Sequence, residues 1–548
     1  MPAEQELNIR APCHAAGRYN NKMEMAMDYD LIIVGMGPVG AMAANLAGLW
    51  GLKTLAVEKA DSVYENPRAM GFDHEVMRAF DNIGLADAIA PYVMPYRASH
   101  YLTTQSRLIK RIDAAKPPFA LGWAPNYVFS QPPVERALRA NIASFAHVTV
   151  ELGTEVLAVE TQDDLATVQV RNRRGEFRIV KAGYVLACDG GASPTRARLK
   201  LRMEDLEFDE PWLVVDVMLK EGAGGSLPTT NVQYCEVERP STYVVGPGRH
   251  RRWEFMINPD EVPAEIAKTE SIRHLLSRWL DVDDYDIWRA STYRFHALIL
   301  EKWRSERIFF LGDAAHMTPP FLAQGMCQGI RDAMGLIWKL ALVQSGIASP
   351  GLLDTYQQER AAHVRQTTKV AKEFGLIICE RDPVKAAERD ESLLQRMNSV
   401  PGGTVRQALI PGLKNGLIDD RSPAGELFPQ PMVIDRDGVK GLLDSFTGQS
   451  FRIVIGTDFD AHPLLEQLHL RLEGSQLHFE VVRLTVEQPT HSADSNQYHE
   501  LDGILEQWMH KRNCKIVIVR PDHYVFGGAC TTEEALALFE RCLESLAS

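Results

Sequence analysis

Residues 31–40 read LIIVGMGPVG, and residues 311–340 read LGDAAHMTPPFLAQGMCQGIRDAMGLIWKL. In the first stretch, 31–34 is a short apolar run rich in β-branched residues, which predicts a buried parallel strand. This strand leads directly into Gly35-x-Gly37-x-x-Gly40 and then into a series of alanines, a pattern typical of a tight turn followed by a closely packed helix. The two stretches lie far apart in the chain, and together they decide the predicted fold.

The glycine pattern predicts a site for the pyrophosphate of a dinucleotide. Gly35 permits the turn, Gly37 lets the backbone approach the phosphates, and Gly40 lets the helix pack on the strand. The phosphates would lie at the positive N-terminus of that helix. A second strand, 54–57, ends in Glu58, whose carboxylate suits a ribose with free hydroxyls. This pattern does not separate NAD from FAD.

Bulk composition narrows the class of protein. The 548 residues are 45% hydrophobic and 24% charged, as expected of a globular protein with several domains. The net charge of −13 argues against nucleic acid or an anionic membrane as partner. The eight cysteines show no C-x-x-C and no zinc-ligand spacing, so we expect reduced thiols, a cytoplasmic location and no metal site. No apolar stretch approaches the ~20 residues of a membrane helix.

The composition and the pattern of predicted strands and helices change along the chain, and these changes indicate its domains. Residues 1–27 are polar, lack the apolar core of a signal peptide and are predicted to be a disordered extension. Strands and helices alternate over 28–200 and again over 297–397, around a β-rich segment at 201–296 that predicts an inserted antiparallel sheet. Residues 398–425 are rich in Gly, Pro and Asn and are predicted to be a surface linker. Residues 426–548 alternate again, as in a small α/β domain.

The second stretch indicates which dinucleotide is bound. A buried strand at 307–311 ends in Gly312-Asp313, where a carboxylate can accept hydrogen bonds from a polyol such as the ribityl chain of a flavin. Pro319 and Pro320 stiffen the following loop. A helix that begins near Gln324 would present free N–H groups to negative charge on the pyrimidine end of a reduced flavin.

These patterns together resemble a known enzyme family. GxGxxG, Asp189-Gly190, and Gly312-Asp313 followed by PP-x(3)-QG-x(3)-G-x(2)-DA-x(2)-L-x-WKL resemble the single-component FAD-dependent aromatic hydroxylases, densely over about residues 28–380. The pattern is most similar to members that act on 3-(3-hydroxyphenyl)propionate, phenols, resorcinols or substituted catechols. The resemblance implies an α/β fold, α+β overall, with a Rossmann-like FAD-binding domain, an inserted antiparallel-sheet substrate domain and a C-terminal thioredoxin-like domain.

The resemblance also implies the chemistry. FAD would be the bound cofactor, NADH or NADPH would bind transiently, and O2 would be the co-substrate. A small phenolic compound would be hydroxylated through a flavin C4a-hydroperoxide, as a step of aromatic catabolism, while the protein excludes water and favours the phenolate. A homodimer is a further expectation.

The resemblance assigns residues to the cofactor. The predicted FAD-binding set is Gly35, Gly37, Pro38, Val39, Gly40, Glu58, Lys59, Arg68, Gln131, Asp189, Gly312, Asp313, Pro320, Gly325, Met326 and Cys327.

Candidates for the phenol come from the β-rich segment and its end. Tyr293, in STYRFHA, is the predicted catalytic group that assists ionisation of the phenol, with His296 as a second candidate. Three residues apart on a strand, the two side chains would lie on opposite faces, so both would not reach one ring. Structural roles, a half-buried sheet tyrosine and a satisfied histidine, are the alternatives. The predicted substrate-binding residues, for which core positions are the alternative, are Trp212, Asp216, Tyr243 and Trp253.

Other functions remain as alternatives. A flavin-dependent halogenase would carry W-x-W-x-I-P, which the sequence lacks. Another flavin oxidoreductase with stably bound NADP would need a second glycine fingerprint, which 183–196 does not provide. A noncatalytic flavin-binding assembly protein is conceivable from the C-terminal domain, although that domain has no C-x-x-C. The identity of the phenol and the choice between NADH and NADPH stay open.

Overall fold

The computed structural model describes residues 27–96, 98–162, 164–399, 404–472, 476–490 and 496–548. The predicted α/β class is confirmed: one sheet has a parallel core, and a second sheet is mostly antiparallel. Residues 1–26 lie outside the described residues, so the prediction of a disordered extension is not tested. Within the described ranges, no helix combines the length and the apolar character needed to cross a bilayer.

The helices and strands follow one another as an alternation that is interrupted twice by runs of strands. The strands are β1 (Tyr29–Val34), β2 (Thr54–Glu58), β3 (Gly71–Asp73), β4 (Val93–Pro95), β5 (Ala98–Leu102), β6 (Leu108–Asp113), β7 (Asn126–Phe129), β8 (Val148–Leu152), β9 (Glu155–Gln162), β10 (Leu165–Arg171), β11 (Phe177–Ala187), β12 (Met203–Leu219), β13 (Asn231–Tyr234), β14 (Ser241–Val245), β15 (His250–Met256), β16 (Tyr285–Leu300), β17 (Arg304–Ser305), β18 (Ile308–Phe310), β19 (His316–Met317), β20 (Thr404–Val405), β21 (Met432–Ile434), β22 (Lys440–Leu442), β23 (Phe451–Ile455), β24 (Phe479–Thr485), β25 (Gln497–Glu500), β26 (Ile516–Val519) and β27 (Val525–Ala529). The helices are α1 (Pro38–Leu49), α2 (His74–Asn82), α3 (Ala86–Ile89), α4 (Gln131–Asn141), α5 (Pro194–Arg198), α6 (Pro263–Ile266), α7 (Thr269–Leu276), α8 (Gly325–Gln344), α9 (Asp354–Cys379), α10 (Pro383–Ser399), α11 (Leu443–Thr447), α12 (His462–Leu472), α13 (Ile504–Lys511) and α14 (Thr532–Ala547).

The first sheet places the two diagnostic stretches side by side. Its strands run in the order β17-β18-β11-β1-β2-β8, and β18, β11, β1, β2 and β8 are mutually parallel. Val34 pairs with Val57 and Ala187, and Ala187 pairs with Phe310. Because parallel strands end at the same edge, the loops that follow β1, β2, β11 and β18 meet there. This edge is where the predicted cofactor residues converge.

The second sheet contains strands from outside the segment 201–296, where the sequence predicts an inserted sheet. Its order is β19-β16-β12-β15-β14-β13-β5-β6-β20. The hairpin of β5 and β6 lies inside the segment 28–200 that was assigned wholly to the FAD-binding domain, yet β5 pairs in parallel with β13. Tyr101 and Ile109 of this hairpin are buried against the sheet, which gives the reason for the pairing. Residues 98–113 therefore belong to the second sheet, although they precede the predicted substrate domain at 201–296.

The segment predicted as a surface linker is also partly integrated. Thr404–Val405 adds a short strand beside β6, and Arg406, Leu413 and Leu417 are buried. The amide of Leu417 donates to Glu359 Oε1 at 2.9 Å. The glycine- and proline-rich composition fits an irregular backbone, but this backbone packs against the first domain instead of running freely over its surface.

The C-terminal residues form a seven-stranded sheet in the order β22-β21-β25-β24-β23-β26-β27. β23 and β24 are parallel and are linked through α12, while β26 and β27 form an antiparallel hairpin that leads to α14. Thr531 caps α14 by accepting from the Glu534 amide at 3.3 Å. The narrower description of this domain as thioredoxin-like stays a prediction.

Candidate active site

The glycine loop has the geometry that a pyrophosphate requires. Gly35 has φ +95°, and a Cβ there would lie 2.6 Å from the carbonyl oxygen of Cys188. A Cβ on Gly40 would lie 1.9 Å from the carbonyl oxygen of Gly35, whereas a Cβ on Gly37 would meet nothing within 4 Å. Gly37 therefore faces open space at the start of α1, where no side chain of the described residues caps the helix. The uncapped helix N-terminus is available to an anion.

Glu58 is held at the end of β2 by backbone donors. Its Oε2 accepts from the Met36 amide at 2.8 Å, and its Oε1 accepts from the Ala60 amide at 2.9 Å. A carboxylate oxygen can accept more than one hydrogen bond, so both oxygens keep capacity for ribose hydroxyls. This placement fits the adenosine half of a dinucleotide.

A cavity of about 530 Å³ runs along this edge of the first sheet. Most of the predicted cofactor residues line it: Gly35, Gly37, Pro38, Val39, Glu58, Lys59, Arg68, Gln131, Asp189, Asp313, Gly325 and Met326. The remaining four lie elsewhere. Gly40 packs behind the turn, Gly312 packs on Val39, Pro320 lines a neighbouring cavity, and Cys327 is fully buried.

Asp313 opens into this cavity. Among the described residues no donor reaches its carboxylate, and desolvation raises its pKa. Asp332 fixes the loop that contains Asp313. Its Oδ2 accepts from the Gly312 amide at 2.9 Å and lies 2.7 Å from His316 Nε2. A carboxylate that faces the cavity and has no donor among the described residues is the kind of acceptor that a polyol hydroxyl requires.

Gln131 and Asp189 organise the cavity wall as well as lining it. Gln131 Oε1 accepts from the amides of Arg68 at 3.0 Å and Ala69 at 2.7 Å, so it sets the course of that loop. Asp189 accepts from Ser193 Oγ at 2.6 Å and from the Thr195 amide at 3.0 Å. Both side chains lie between backbone segments that converge on the cavity.

The residues present fit FAD. The cavity begins at an uncapped helix N-terminus with an acidic ribose site and continues to the unpaired carboxylate of Asp313. It ends at Gly325 and Met326, in the first turn of α8, where no side chain caps the helix either. The three features match a pyrophosphate, a polyol and an electron-rich ring in that order.

A second cavity of about 260 Å³ adjoins the first. Arg68, Ala69, Thr318, Gly325 and Met326 belong to the walls of both, so a ring bound at the end of the first cavity would face the second. The second sheet supplies a polar wall, and the loop at 320–323 supplies an apolar one. The polar and charged lining residues include Tyr96, Asn231, Gln233, Thr242, Arg252, Glu254, Arg289, Tyr293 and Arg406.

Tyr293 lies in the second cavity, as its predicted role requires. The Arg289 guanidinium donates to Tyr293 Oη and lies over the ring, 5.1 Å from its centroid. Because the hydroxyl oxygen accepts from Arg289, its own hydrogen is free to donate elsewhere. Tyr293 can therefore offer a hydrogen bond to an oxygen bound in this cavity.

His296 lies on the other face of the same strand. Its Nδ1 is 3.2 Å from Asp209 Oδ1, and it does not line either cavity. The odd spacing from Tyr293 accounts for this, because side chains alternate across a strand. We therefore do not propose a catalytic role for His296.

Asp216 lies beneath the cavity wall instead of in it. The carboxylate is fully buried, accepts from Arg252 Nε at 2.7 Å and lies 2.8 Å from His250 Nε2. Burial alone would raise its pKa, but Arg252 and His250 together outweigh burial and lower the pKa to about 2. Arg252 and Arg289 in turn donate to the carbonyl of Pro67, at 3.0 and 2.7 Å, so Asp216 fixes the arginines that join the sheet to the loop of Pro67.

Three aromatic residues predicted to bind substrate lie outside the cavity wall. Trp212 is fully buried and stacks on Phe295, one layer behind the cavity. The ring centroids of Tyr243 and Trp253 lie 4.9 Å apart, and both residues are buried in the core on the opposite face of the sheet. Their neighbours Thr242 and Glu254 face the cavity instead, because alternate residues of a strand point to opposite faces.

Sequence reasoning missed the arginine that closes the cavity. Arg406 comes from the predicted linker, is 4% exposed and donates to Tyr96 Oη and to the carbonyl of Leu322. Within the described residues, no carboxylate lies within 4.0 Å of its guanidinium, and its Nε has no hydrogen-bond partner. No local sequence signal marks this residue, since its position depends on a pairing between β20 and β6.

The chain matches two families of known proteins. Residues 28–371 match the FAD binding domain family, and residues 425–545 match the HcaD C-terminal domain family. The 3-(3-hydroxy-phenyl)propionate/3-hydroxycinnamic acid hydroxylase 2 of Burkholderia vietnamiensis is 34% identical over 516 residues, which cover 90% of this chain and 92% of the relative. The hydroxylase of the same description from Escherichia coli K12 is 31% identical over 511 residues, with 90% of each chain covered.

Solved structures share the fold at lower identity. The flavin-dependent monooxygenase PieE, in complex with FAD and substrate, superposes with a TM-score of 0.79 at 19% identity over 95% of this chain and 100% of that chain. Aklavinone-11 hydroxylase, with FAD and aklavinone, gives 0.76 at 18% identity over the same shares. With the family match over the whole cofactor site and relatives similar along most of its length, the chain belongs to the FAD-dependent aromatic hydroxylases, flavin monooxygenases with FAD as their cofactor.

Proposed function

We propose that the protein hydroxylates a phenol that carries an anionic substituent, with FAD, NAD(P)H and O2, and that the phenol binds in the second cavity. The relatives are named for 3-(3-hydroxyphenyl)propionate and 3-hydroxycinnamic acid, which are phenols with a carboxylate. Resorcinols and nitrocatechols are the competing substrates within the family. One observation favours the carboxylate: the buried guanidinium of Arg406 in the cavity wall has no carboxylate partner among the described residues.

The charge balance of the cavity supports an anion. Among the described residues, four arginines line it, and Glu254 is the one acidic lining residue. Glu254 lies 3.8 Å from Arg252, and burial raises its pKa, which favours the neutral acid. A buried cation without a counter-ion is destabilising, whereas a carboxylate would supply both charge and acceptors in the planar geometry that guanidinium prefers. The local field is therefore positive although the chain as a whole is acidic.

Tyr293 and Arg289 would bind the phenol oxygen. The Tyr293 hydroxyl accepts from Arg289 and can donate to the substrate, so together they favour a phenolate over a neutral phenol. The redox chemistry, uptake of a hydride from the nicotinamide and activation of O2, is supplied by FAD when it is bound. The aromatic wall formed by Phe295 and Phe321 excludes water from the ring between these two polar ends.

A substrate panel tests this proposal. Purified protein loaded with FAD is given NADH or NADPH and one of four phenols: 3-(3-hydroxyphenyl)propionate, its neutral amide, resorcinol or 4-nitrocatechol. We expect kcat/KM for the propionate to exceed that for its amide by about tenfold or more, because the amide lacks the charge that would pair with Arg406. Reduced nicotinamide, oxygen and product mass are measured together. Equal values for the propionate and the amide would contradict the anionic substituent, and the absence of any hydroxylated product would contradict the phenol hydroxylase itself.

A further inference from the structure

A hairpin of the C-terminal domain reaches into the FAD-binding domain. Between β26 and β27, Arg520, Asp522, His523 and Tyr524 are all at least 95% buried. Tyr524 Oη donates to Glu75 Oε1 at 3.1 Å, and Glu75 belongs to α2. The hydrogen bond therefore joins residues that are 449 positions apart in the chain.

From Glu75, a chain of hydrogen bonds continues toward the flavin site. Glu75 Oε2 accepts from Arg331 Nε at 2.5 Å. Arg331 donates to Gln324 Oε1 at 3.1 Å and to Asp73 Oδ2 at 2.7 Å, and Gln324 Nε2 donates to the same Asp73 oxygen at 3.0 Å. These five side chains are at most 5% exposed. In such an enclosed network each group limits the orientations open to its neighbours.

The end of this network is the turn that begins α8. Ala323 has φ +50°, a left-handed conformation that a non-glycine residue keeps only when its surroundings impose it. Gln324 is the N-cap of α8, but its side chain makes no capping bond and is held by Arg331 and Asp73 instead. The next two residues, Gly325 and Met326, line both cavities. The course of their backbone thus depends on what holds Gln324.

We propose that Tyr524 is a positioning residue of the flavin site, which acts through Glu75 and Arg331 on the Gln324 turn. It orients the free amides of the first turn of α8 toward the flavin ring, so the C-terminal domain completes the cofactor site without touching it. This inference rests on the assignment of Gly325 and Met326 to the flavin, and it does not depend on which phenol is bound.

Other contacts dock the C-terminal domain, which makes the proposal testable. Arg78 donates to Asp444 at 2.6 Å, and Arg520 donates to Glu359 at 2.8 Å, both across the domain boundary and both buried. Tyr524→Phe removes one hydroxyl and leaves these ion pairs in place. The variant should therefore keep its fold and its docked domain.

The first test is hydrogen–deuterium exchange of residues 324–331 in the full-length apoprotein. We expect Tyr524→Phe to speed exchange of the amides at the start of α8 about threefold, the effect of a modest change in local coupling. Glu75→Gln should do the same, because it weakens the bond to Arg331. The matched control is Tyr234→Phe, which removes an equally buried hydroxyl bonded to Trp279 Nε1 at 3.2 Å, on the side of the sheet away from the cavities. Wild-type exchange in both Tyr524→Phe and Glu75→Gln would overturn the proposal.

The second test uses the holoenzyme. We expect Tyr524→Phe to shift the visible absorption of bound FAD and to lower the hydroxylated product formed per NAD(P)H about threefold, with little change in KM. Combined with Gln324→Ala it should add nothing further, since both act through one turn. An unchanged spectrum, or fully additive effects, would contradict the proposal. If no phenol is hydroxylated, the proposed function fails, while exchange in the apoprotein still decides the role of Tyr524.

Discussion

Arg406→Met is expected to lower kcat/KM for 3-(3-hydroxyphenyl)propionate about hundredfold, mainly through KM, because truncating one partner of a buried charge pair leaves the other unpaired. The same variant should hydroxylate the neutral amide within about twofold of the wild-type rate, since the amide brings no charge that needs the guanidinium. Steady-state kinetics with the two substrates measure the difference. Arg406→Lys should be intermediate, because lysine keeps the charge but not the planar pair of donors.

The matched control for Arg406 is Arg111→Met. Arg111 is exposed on β6, the strand beside the one that leads to Arg406, and its partner is Asp113. This substitution should leave both substrates unaffected. A parallel loss for the propionate and the amide in Arg406→Met would show that Arg406 serves the shape of the cavity and not an anionic group.

Tyr293→Phe is expected to slow hydroxylation about hundredfold while reduction of FAD by NAD(P)H stays within about twofold, because general acid–base assistance by one side chain contributes on this scale. Phenylalanine keeps the ring over Arg289 and loses only the hydroxyl that would bind the phenol oxygen. Stopped-flow absorbance of the flavin separates the two steps. Equal effects on both would place Tyr293 outside the hydroxylation step.

The pH dependence of Tyr293→Phe provides a further check. Without a hydrogen bond to the phenolate, the pKa of the bound phenol should rise toward its value in solution, so hydroxylation by the variant should recover as the pH rises. Tyr285→Phe is the control, because Tyr285 lies on the same strand but is buried in the core on the other face. A rate for Tyr293→Phe that stays low and flat with pH would contradict a role in ionisation.

The cofactor half of the site was accessible from the sequence because its determinants are local. Gly35, Gly37 and Gly40 act within one turn, and Glu58 and Asp313 each follow a strand whose end can be read from a short apolar run. Parallel pairing then brings these separate ends to one edge of the sheet. Each step needs only strand period and turn chemistry.

The substrate half of the site was harder to predict from the sequence. It depends on which face of a strand each residue occupies and on pairing between segments that are far apart in the chain. Tyr243 and Trp253 are large and aromatic, but the face that each occupies is set by the register of β14 and β15, which the sequence does not reveal. Arg406 reaches the cavity from a segment of irregular composition. Tyr524 belongs to another domain and is linked to the Gln324 turn through Glu75 and Arg331. The local sequence around these residues does not predict any of these positions.

The most direct test of phenol hydroxylation by this protein is isotope incorporation from ¹⁸O2 into the product of 3-(3-hydroxyphenyl)propionate. The reaction contains the FAD-loaded protein and NAD(P)H, and the mass of the product is measured by mass spectrometry. Each product molecule should carry one ¹⁸O atom, introduced on the aromatic ring. Product without the label, or NAD(P)H consumption that never yields a hydroxylated ring, would contradict it.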